Sequence, residues 1–343
     1  MGYPNFLSDY MEGAHISILN RLIETNYEKT VGYGDDEYCK MAREKIKAEC
    51  SAPDARVHFL VGGTQTNATV IDSLLRGYQG VVSATTGHIA AHESGAIEAS
   101  GHKVITIPSY DGKISAKDLK ACFENYLADE SREHTVMPGA VYISHPTEYG
   151  TLYTKSELSE ISEICKNYGA PFFLDGARLG YGLTAPDTDV TLADIAKYTD
   201  VFYIGGTKVG ALFGEALVIT NPDICPCFFS MIKRHGALLA KGRLLGIQFD
   251  TLFTDGLYLK IAKNAIDMAM YLKEELIKRG YKFYIDSPTN QQFVVLDNEK
   301  LSELRKNVGF TFWEKIDEKT SVIRLVTSFA TTREQVDELL SYM

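Results

Sequence analysis

No stretch of this 343-residue chain runs 18 apolar residues without interruption, so no helical membrane span is expected. The opening MGYPNFLSDYMEGAH has no basic flank leading into an apolar core; a signal peptide is not expected, and a cytoplasmic location is. Basic residues are outnumbered, with Lys+Arg 35 against Asp+Glu 45 and a formal charge of -10. With no long basic block either, nucleic acid is not an expected main partner. The six cysteines (39, 50, 122, 165, 225 and 227) lack metal or redox spacing. Cys225-Pro-Cys227 has one intervening residue where a redox motif or zinc half-site has two, and neither a second pair nor a histidine cluster supports it. No metal site is expected. H-E-x-x-H and G-x-G-x-x-G are absent too, which disfavours a zinc protease and a dinucleotide fold.

What is present suits a globular protein of one large domain or two unequal ones, with 45% hydrophobic and 23% charged residues. Seven short apolar runs alternate with helical patterns between about 58 and 220. They are HFLVGG (58–63), VVSAT (81–85), KVITIP (103–108), AVYISHP (140–146), PFFLDG (171–176), VFYIGGT (201–207) and GEALVIT (214–220). KSELSEISEICKNYG is the clearest helix, with Leu158, Ile161 and Ile164/Cys165 along one face and Gly169 at its stop. The pattern predicts an α/β fold with a mostly parallel seven-stranded sheet sandwiched by helices. The last two runs lie too close for a crossover helix and are expected to pair antiparallel. After about 250, a long helix, KIAKNAIDMAMYLKEELIKRG, precedes YKFYID, QQFVVLD, LSELRKNVG, SVIRLVTSFATT and REQVDELLSYM. This is the pattern of a smaller α+β domain.

GGTKVG (205–210) sets a lysine between glycines inside apolar surroundings. A phosphate loop requires Ser or Thr after its lysine and then a helix, and neither follows Lys208. A lysine among small residues and apolar strands suits Schiff-base chemistry, because desolvation lowers its pKa; the plain alternative is a surface lysine in a turn. Asp175 ends the strand APFFLDG, where open α/β sheets gather ligands, and a carboxylate there can hold a proton on a pyridine nitrogen. The alternative for Asp175 is a helix cap. His88, just beyond a strand, can stack on an aromatic cofactor or handle protons. His92 is a weaker candidate, and His102 reads as structural. In LVGGTQTNATVIDSLL a strand runs through Gly62, Gly63 and Thr64 into a helix whose free amides can hold phosphate, with Thr207 as a further donor.

Together VGGTQTN, TGHIAAHESGAIE, LDGARLGYG and GGTKVGALFGEALV closely resemble the threonine aldolase/β-eliminating lyase family. Its members have the fold type I architecture of aspartate-aminotransferase-like enzymes and use pyridoxal 5′-phosphate. The resemblance runs from YGDD at 33–36 to VIRLVTSFATT at 322–332. It implies an N-terminal arm (1–26) packing with the small domain, a large cofactor-binding domain (27–250) and a small domain (251–343). Lys208 would form the Schiff base, Asp175 would pair with the ring nitrogen and His88 would stack on the ring. Gly63, Thr64 and Thr207 would hold the phosphate. Arg178, which also borders the cofactor, and Arg324 would grip the substrate carboxylate together with Ser8, because a guanidinium fork matches a carboxylate. Tyr33 would serve the neighbouring subunit's site, which implies a shared-site homodimer, commonly doubled to a tetramer.

The chain departs from the family in two places. Members often carry E-N-T-H-N before the aspartate strand; here ISHPTEYGTLY leaves the second active-site histidine without a match, with His145 and Glu148 nearby. Members also carry G-G-G-M-R-Q where this chain reads RHGALLAKGRLLG, so the cross-subunit phosphate contact is open among Arg234, Lys241 and Arg243. The expected reaction is retro-aldol cleavage of an L-β-hydroxy-α-amino acid, such as threonine or a phenylserine, to glycine and an aldehyde. His88, a water or another group would act as base. β-Elimination to a keto acid and ammonia uses the same lysine and aspartate, and transamination stands third. A non-catalytic binding protein on this fold is the reading of another class, and the joint presence of Lys208, Asp175 and His88 argues against it.

Overall fold

The seven apolar runs become β1 (Arg56–Leu60), β2 (Gln79–Ala84), β3 (Lys103–Ile107), β4 (Met137–Ser144), β5 (Phe172–Asp175), β6 (Val201–Gly205) and β7 (Glu215–Ile219). The structure is a computed structural model and describes residues 4–186 and 188–343. The strands form one sheet in the order β1-β7-β6-β5-β4-β2-β3. The neighbours from β6 through β3 pair in parallel, and β7 runs against both β6 and β1. The antiparallel pairing of β6 and β7 follows from their short connection, which cannot hold a crossover helix.

All residues of β5, β6 and β7 are buried, because helices cover both sheet faces. Alternate side chains feed two cores. Phe172, Leu174, Phe202, Ile204, Ala216 and Val218 point to one. Phe173, Tyr203, Leu217 and Ile219 point to the other, where Val70 and Ile71 of the helix Gly63–Leu74 meet them. Each large apolar side chain so buried contributes roughly 1.5–3 kcal/mol. The helix Lys155–Tyr168 starts at a Thr154/Glu157 capping box and stops at Gly169, whose φ of 64° favours glycine.

The second sheet contains β8 (Lys282–Phe283), β9 (Gln291–Asp297), β10 (Thr311–Lys315) and β11 (Thr320–Val326), ordered β10-β11-β9-β8 and antiparallel throughout. The apolar pattern leaves β10 unmarked. It is a partly exposed edge strand, and its register shifts between Phe312 and Glu314. Val294, Leu296, Ile323 and Leu325 pack on Leu272 and Leu276 of the helix Leu257–Lys278 and on Val336 and Leu339. The first half of that long helix instead joins the large sheet's core through Ile261, Ala262, Ala265 and Ile266. The N-terminal segment lies along the small sheet. Phe6 N donates to Gly309 O at 2.7 Å, and Val326 N donates to Phe6 O at 2.9 Å. Among the described residues no helix is long and apolar enough to cross a membrane.

Candidate active site

The connection between β6 and β7 shapes the cleft. Gly206 N and Thr207 N both donate to Gly214 O, at 2.9 and 3.1 Å, and close a tight loop that presents Lys208. Gly214 adopts φ 121°, and a Cβ there would lie 2.5 Å from Leu245, so the loop requires glycine. Lys208 lies half-buried in a cavity of about 220 Å³ with Gly62, Gly63, Thr64, Asp175 and Thr207. Its surroundings lower its pKa, through burial first and the Arg178 charge second, against the pull of Asp9, Asp175 and Glu215. A lowered pKa enlarges the fraction of neutral, nucleophilic amine.

Asp175 is buried at the end of β5 and accepts from donors on one helix, two strands and the turn that follows it. Oδ2 receives Asn67 Nδ2 at 3.0 Å and Tyr142 Oη at 2.6 Å; Oδ1 receives the Ala177 amide at 3.0 Å and Tyr203 Oη. Burial alone would raise its pKa, but the His88 charge and these donors outweigh it and hold Asp175 below the ordinary carboxylate range. Asn67 Nδ2 also donates to Glu93 Oε1 at 2.7 Å, and His88 Nδ1 donates to the same oxygen at 2.8 Å. Burial pulls the His88 pKa down, but Glu93 and Asp175 together leave it raised. Glu93, Asn67, Tyr142 and Tyr203 carry no strand-end signal in the sequence. They join the site only through the fold.

The helix Gly63–Leu74 has no side-chain cap, so its first amides face the cleft. A Cβ on Gly63 would come 3.0 Å from Tyr203 Oη, which keeps this wall small. Thr207 stands beside it, with its hydroxyl donating to Glu215 Oε1 at 2.9 Å and accepting from Gly214 N at 3.0 Å. Glu215 is buried, and burial pushes its pKa up to about 8 against the opposing influence of Lys208 and Thr207.

The neighbourhood left open between His145 and Glu148 is divided by the fold. The ring of His145 is buried away from the cleft, its Nδ1 accepts from Tyr153 N at 3.3 Å, and burial lowers its pKa to about 4. Glu148 faces the cleft. Its Oε1 accepts from His88 N at 2.8 Å and Ser144 Oγ at 2.6 Å, while Oε2 is buried without a partner. Burial raises the pKa of Glu148 despite the Ser144 bond.

Glu148, His88, Arg178 and Lys208 also border a second, outer cavity with Tyr10, His92, Trp313 and Arg324. Arg324 Nη1 donates to Gln291 Oε1 at 3.0 Å, its guanidinium carbon lies 5.3 Å from the centre of the Trp313 ring, and its Nε is buried without a partner. Burial and the neighbouring Arg178 lower the Arg324 pKa to about 10. Arg178 is engaged from the N-terminal arm, where Nε and Nη2 donate to Asp9 Oδ2 and Oδ1 at 2.7 and 3.0 Å. Asn290 Nδ2 also donates to Asp9 Oδ2. Asp9, missed by the sequence reading, thus takes two of the donors of an arginine expected to meet substrate.

Gly63, Thr64, His88, Asp175, Arg178, Thr207 and Lys208 therefore converge, with Arg324 in the adjoining cavity. Ser8 borders neither cavity, although Asp9 and Tyr10 after it reach the site. Tyr33 is exposed and lines a separate groove with Arg43, Arg56 and Phe59. Arg234 pairs with Asp72, Lys241 is exposed, and Arg243 donates to the carbonyls of Thr25 and Glu28. His102 also bonds Asp72.

The cleft's own residues fit pyridoxal 5′-phosphate. Uncapped helix amides suit the phosphate, an Asp175 kept anionic suits a protonated ring nitrogen, and a lysine amine of lowered pKa suits the carbonyl. The architecture is that of fold type I enzymes of this cofactor class. Aspartate aminotransferase from Thermus thermophilus superposes with a TM-score of 0.72, covering 99% of this chain and 91% of its own at 13% identity. Within that class the chain belongs to the threonine aldolase/β-eliminating lyase family, and the Beta-eliminating lyase family profile matches residues 5–308. Leishmania major threonine aldolase is 43% identical, with a TM-score of 0.95 over 98% of this chain and 97% of its own. The low specificity L-threonine aldolase of Pseudomonas sp. (strain NCIMB 10558) is 28% identical over 97% of this chain and 95% of its own.

Proposed function

We propose that this protein cleaves L-β-hydroxy-α-amino acids between Cα and Cβ, giving glycine and an aldehyde. L-Threonine, L-allo-threonine and phenylserine-like compounds are the substrates we assign to it. The carrying observation is the Glu148 carboxyl, which borders both cavities and keeps a buried, unpartnered Oε2. Retro-aldol cleavage needs an acceptor for the β-hydroxyl proton, and a buried carboxylate of raised pKa accepts one readily. His88 borders the same two cavities as a second acceptor. The aldolase relatives support the same reading.

When the hydroxyl proton leaves, its bonding pair becomes the new carbonyl π bond. The Cα–Cβ pair passes to Cα, which then takes a proton. Bound pyridoxal phosphate supplies the electron sink for that pair. Lys208 provides the anchoring amine, Asp175 holds a proton at the ring nitrogen, and the Gly63 and Thr64 amides hold the phosphate. Arg324, with its unpaired Nε, binds the substrate carboxylate, assisted by the part of Arg178 that Asp9 leaves free.

Glu148→Gln is expected to lower kcat for L-threonine by about 10²–10³-fold while the bound-cofactor absorbance persists. The carboxylate is the active form, so wild-type kcat rises with pH through the raised Glu148 pKa, and this limb disappears in the variant. An unchanged profile would remove Glu148 as the base. Arg324→Gln is expected to raise KM about 10–100-fold with a smaller change in kcat, since carboxylate binding persists through the reaction. An unaltered KM in steady-state assays would reassign Arg324.

β-Elimination is the second reading, and the Lys208 amine favours it as an acceptor for a Cα proton. Product analysis separates the two, with glycine and aldehyde in equal amounts expected and keto acid with ammonia counting against the aldol route. We also propose a shared-site homodimer, paired into a tetramer, in which the exposed Tyr33 serves its neighbour's cleft. Sedimentation of the fully active protein as a monomer would eliminate that arrangement.

A further inference from the structure

We propose that Glu215, carrying a proton, donates a hydrogen bond to the anionic end of the ligand at the open start of the helix Gly63–Leu74. This rests on the cofactor reading and is independent of which Cα bond is cleaved. Glu215 opens β7 directly opposite Leu60, the last residue of β1 and two residues before Gly62. Side chains alternate along β7, so Glu215 shares a face with Leu217 and Ile219. Those two pack in one core with Leu60, Val70 and Ile71, on the face that the helix covers. Glu215 ends that row beside the helix's first turn.

Glu215 has an unused valence there. Its Oε1 accepts from Thr207, and its Oε2 is buried without a partner among the described residues. The carboxyl borders the same cavity as Gly62, Gly63 and Thr64, whose helix has no side-chain cap. The Thr207 hydroxyl already donates to Glu215 and accepts from Gly214, so it orients the carboxyl.

A carboxylate beside a phosphate repels it, whereas the neutral acid donates to it. Burial, with a smaller push from Asp175, favours the neutral acid, while Lys208 and Thr207 oppose it. The other titratable groups bordering the cavity are His88, Glu148, Arg178 and Tyr203; Val61 through Thr64 add none. Affinity for the anion is therefore highest below the raised Glu215 pKa and falls as pH rises through it.

The test measures binding of pyridoxamine 5′-phosphate and of pyridoxamine to the full chain freed of cofactor, by fluorescence titration from about pH 7 to about pH 9.5. Neither ligand can condense with Lys208, and the phosphate is already doubly ionised above its second pKa of about 6. In wild type the ratio of the two affinities is expected to fall about tenfold or more across this range. Glu215→Gln keeps a donor with no proton to lose and is expected to hold its neutral-pH ratio within about twofold. Glu215→Ala is expected to show a low ratio throughout. A parallel fall in wild type and Glu215→Gln would assign the effect to another group, and a wild-type ratio in Glu215→Ala would also overturn the proposal. Failure of every chain to bind either ligand would defeat the cofactor reading itself.

Discussion

Lys208→Ala is expected to reduce L-threonine cleavage by at least about 10³-fold and to abolish the yellow Schiff-base absorbance of the cofactor-loaded protein. The effect arises from chemistry at Nζ, because backbone bonds among Gly206, Thr207 and Gly214 shape the loop without the side chain. Lys208→Arg is not expected to rescue, since a guanidinium stays protonated, whereas burial and the Arg178 charge lower the pKa of the Lys208 amine. Borohydride reduction followed by peptide mass analysis provides the check. The cofactor adduct should fall on Lys208 in wild type and be missing from Lys208→Ala. An adduct on another lysine, or retained activity without one, would refute the assignment.

Asp175→Asn is expected to damage stability and activity together. The aspartate accepts from Asn67, Tyr142, Tyr203 and the Ala177 amide, and the asparagine NH₂ would face donors in either orientation. Losing charge-assisted bonds and stranding buried donors should cost about 2–4 kcal/mol. The folded pKa of Asp175 lies below its unfolded value, so its contribution is present above the unfolded pKa of about 4 and is lost as pH falls through the folded value. The difference in thermal midpoint between wild type and variant should therefore be widest near neutral pH and shrink in acid. kcat should fall about 10²–10³-fold, because the ring nitrogen loses its anionic partner. Equal midpoints at neutral pH would contradict the bonding described for this carboxylate.

Much of the site was legible because its residues end apolar strand runs. Asp175 follows PFFL, Lys208 lies four residues beyond VFYI, and Gly63 lies two beyond HFLV, and in an open α/β sheet those strand ends share one edge. The antiparallel turn of β7 was legible from loop length alone. Glu148 was not distinguishable from His145 by residue type. The chain's path after β4 turns His145 toward Tyr153 and leaves Glu148 in the cleft. Asp9 was hidden because its partner Arg178 is 169 positions away, and only the arm's pairing beside β11 brings them together. Glu215 reads in sequence as the first residue of an ordinary strand; its environment comes from β1 and from the helix after it.

The sequence by itself determined the alternating α/β plan, the strand-end lysine and aspartate, and the glycine turn into a helix. Each of these depends on local periodicity or on backbone freedom within a few residues. The tertiary structure alone decided which acids are buried and unpartnered, which donors hold Asp175 as an anion, and how Asp9 engages Arg178. Those properties depend on desolvation and on hydrogen bonds between distant segments, and neither exists until the elements pack.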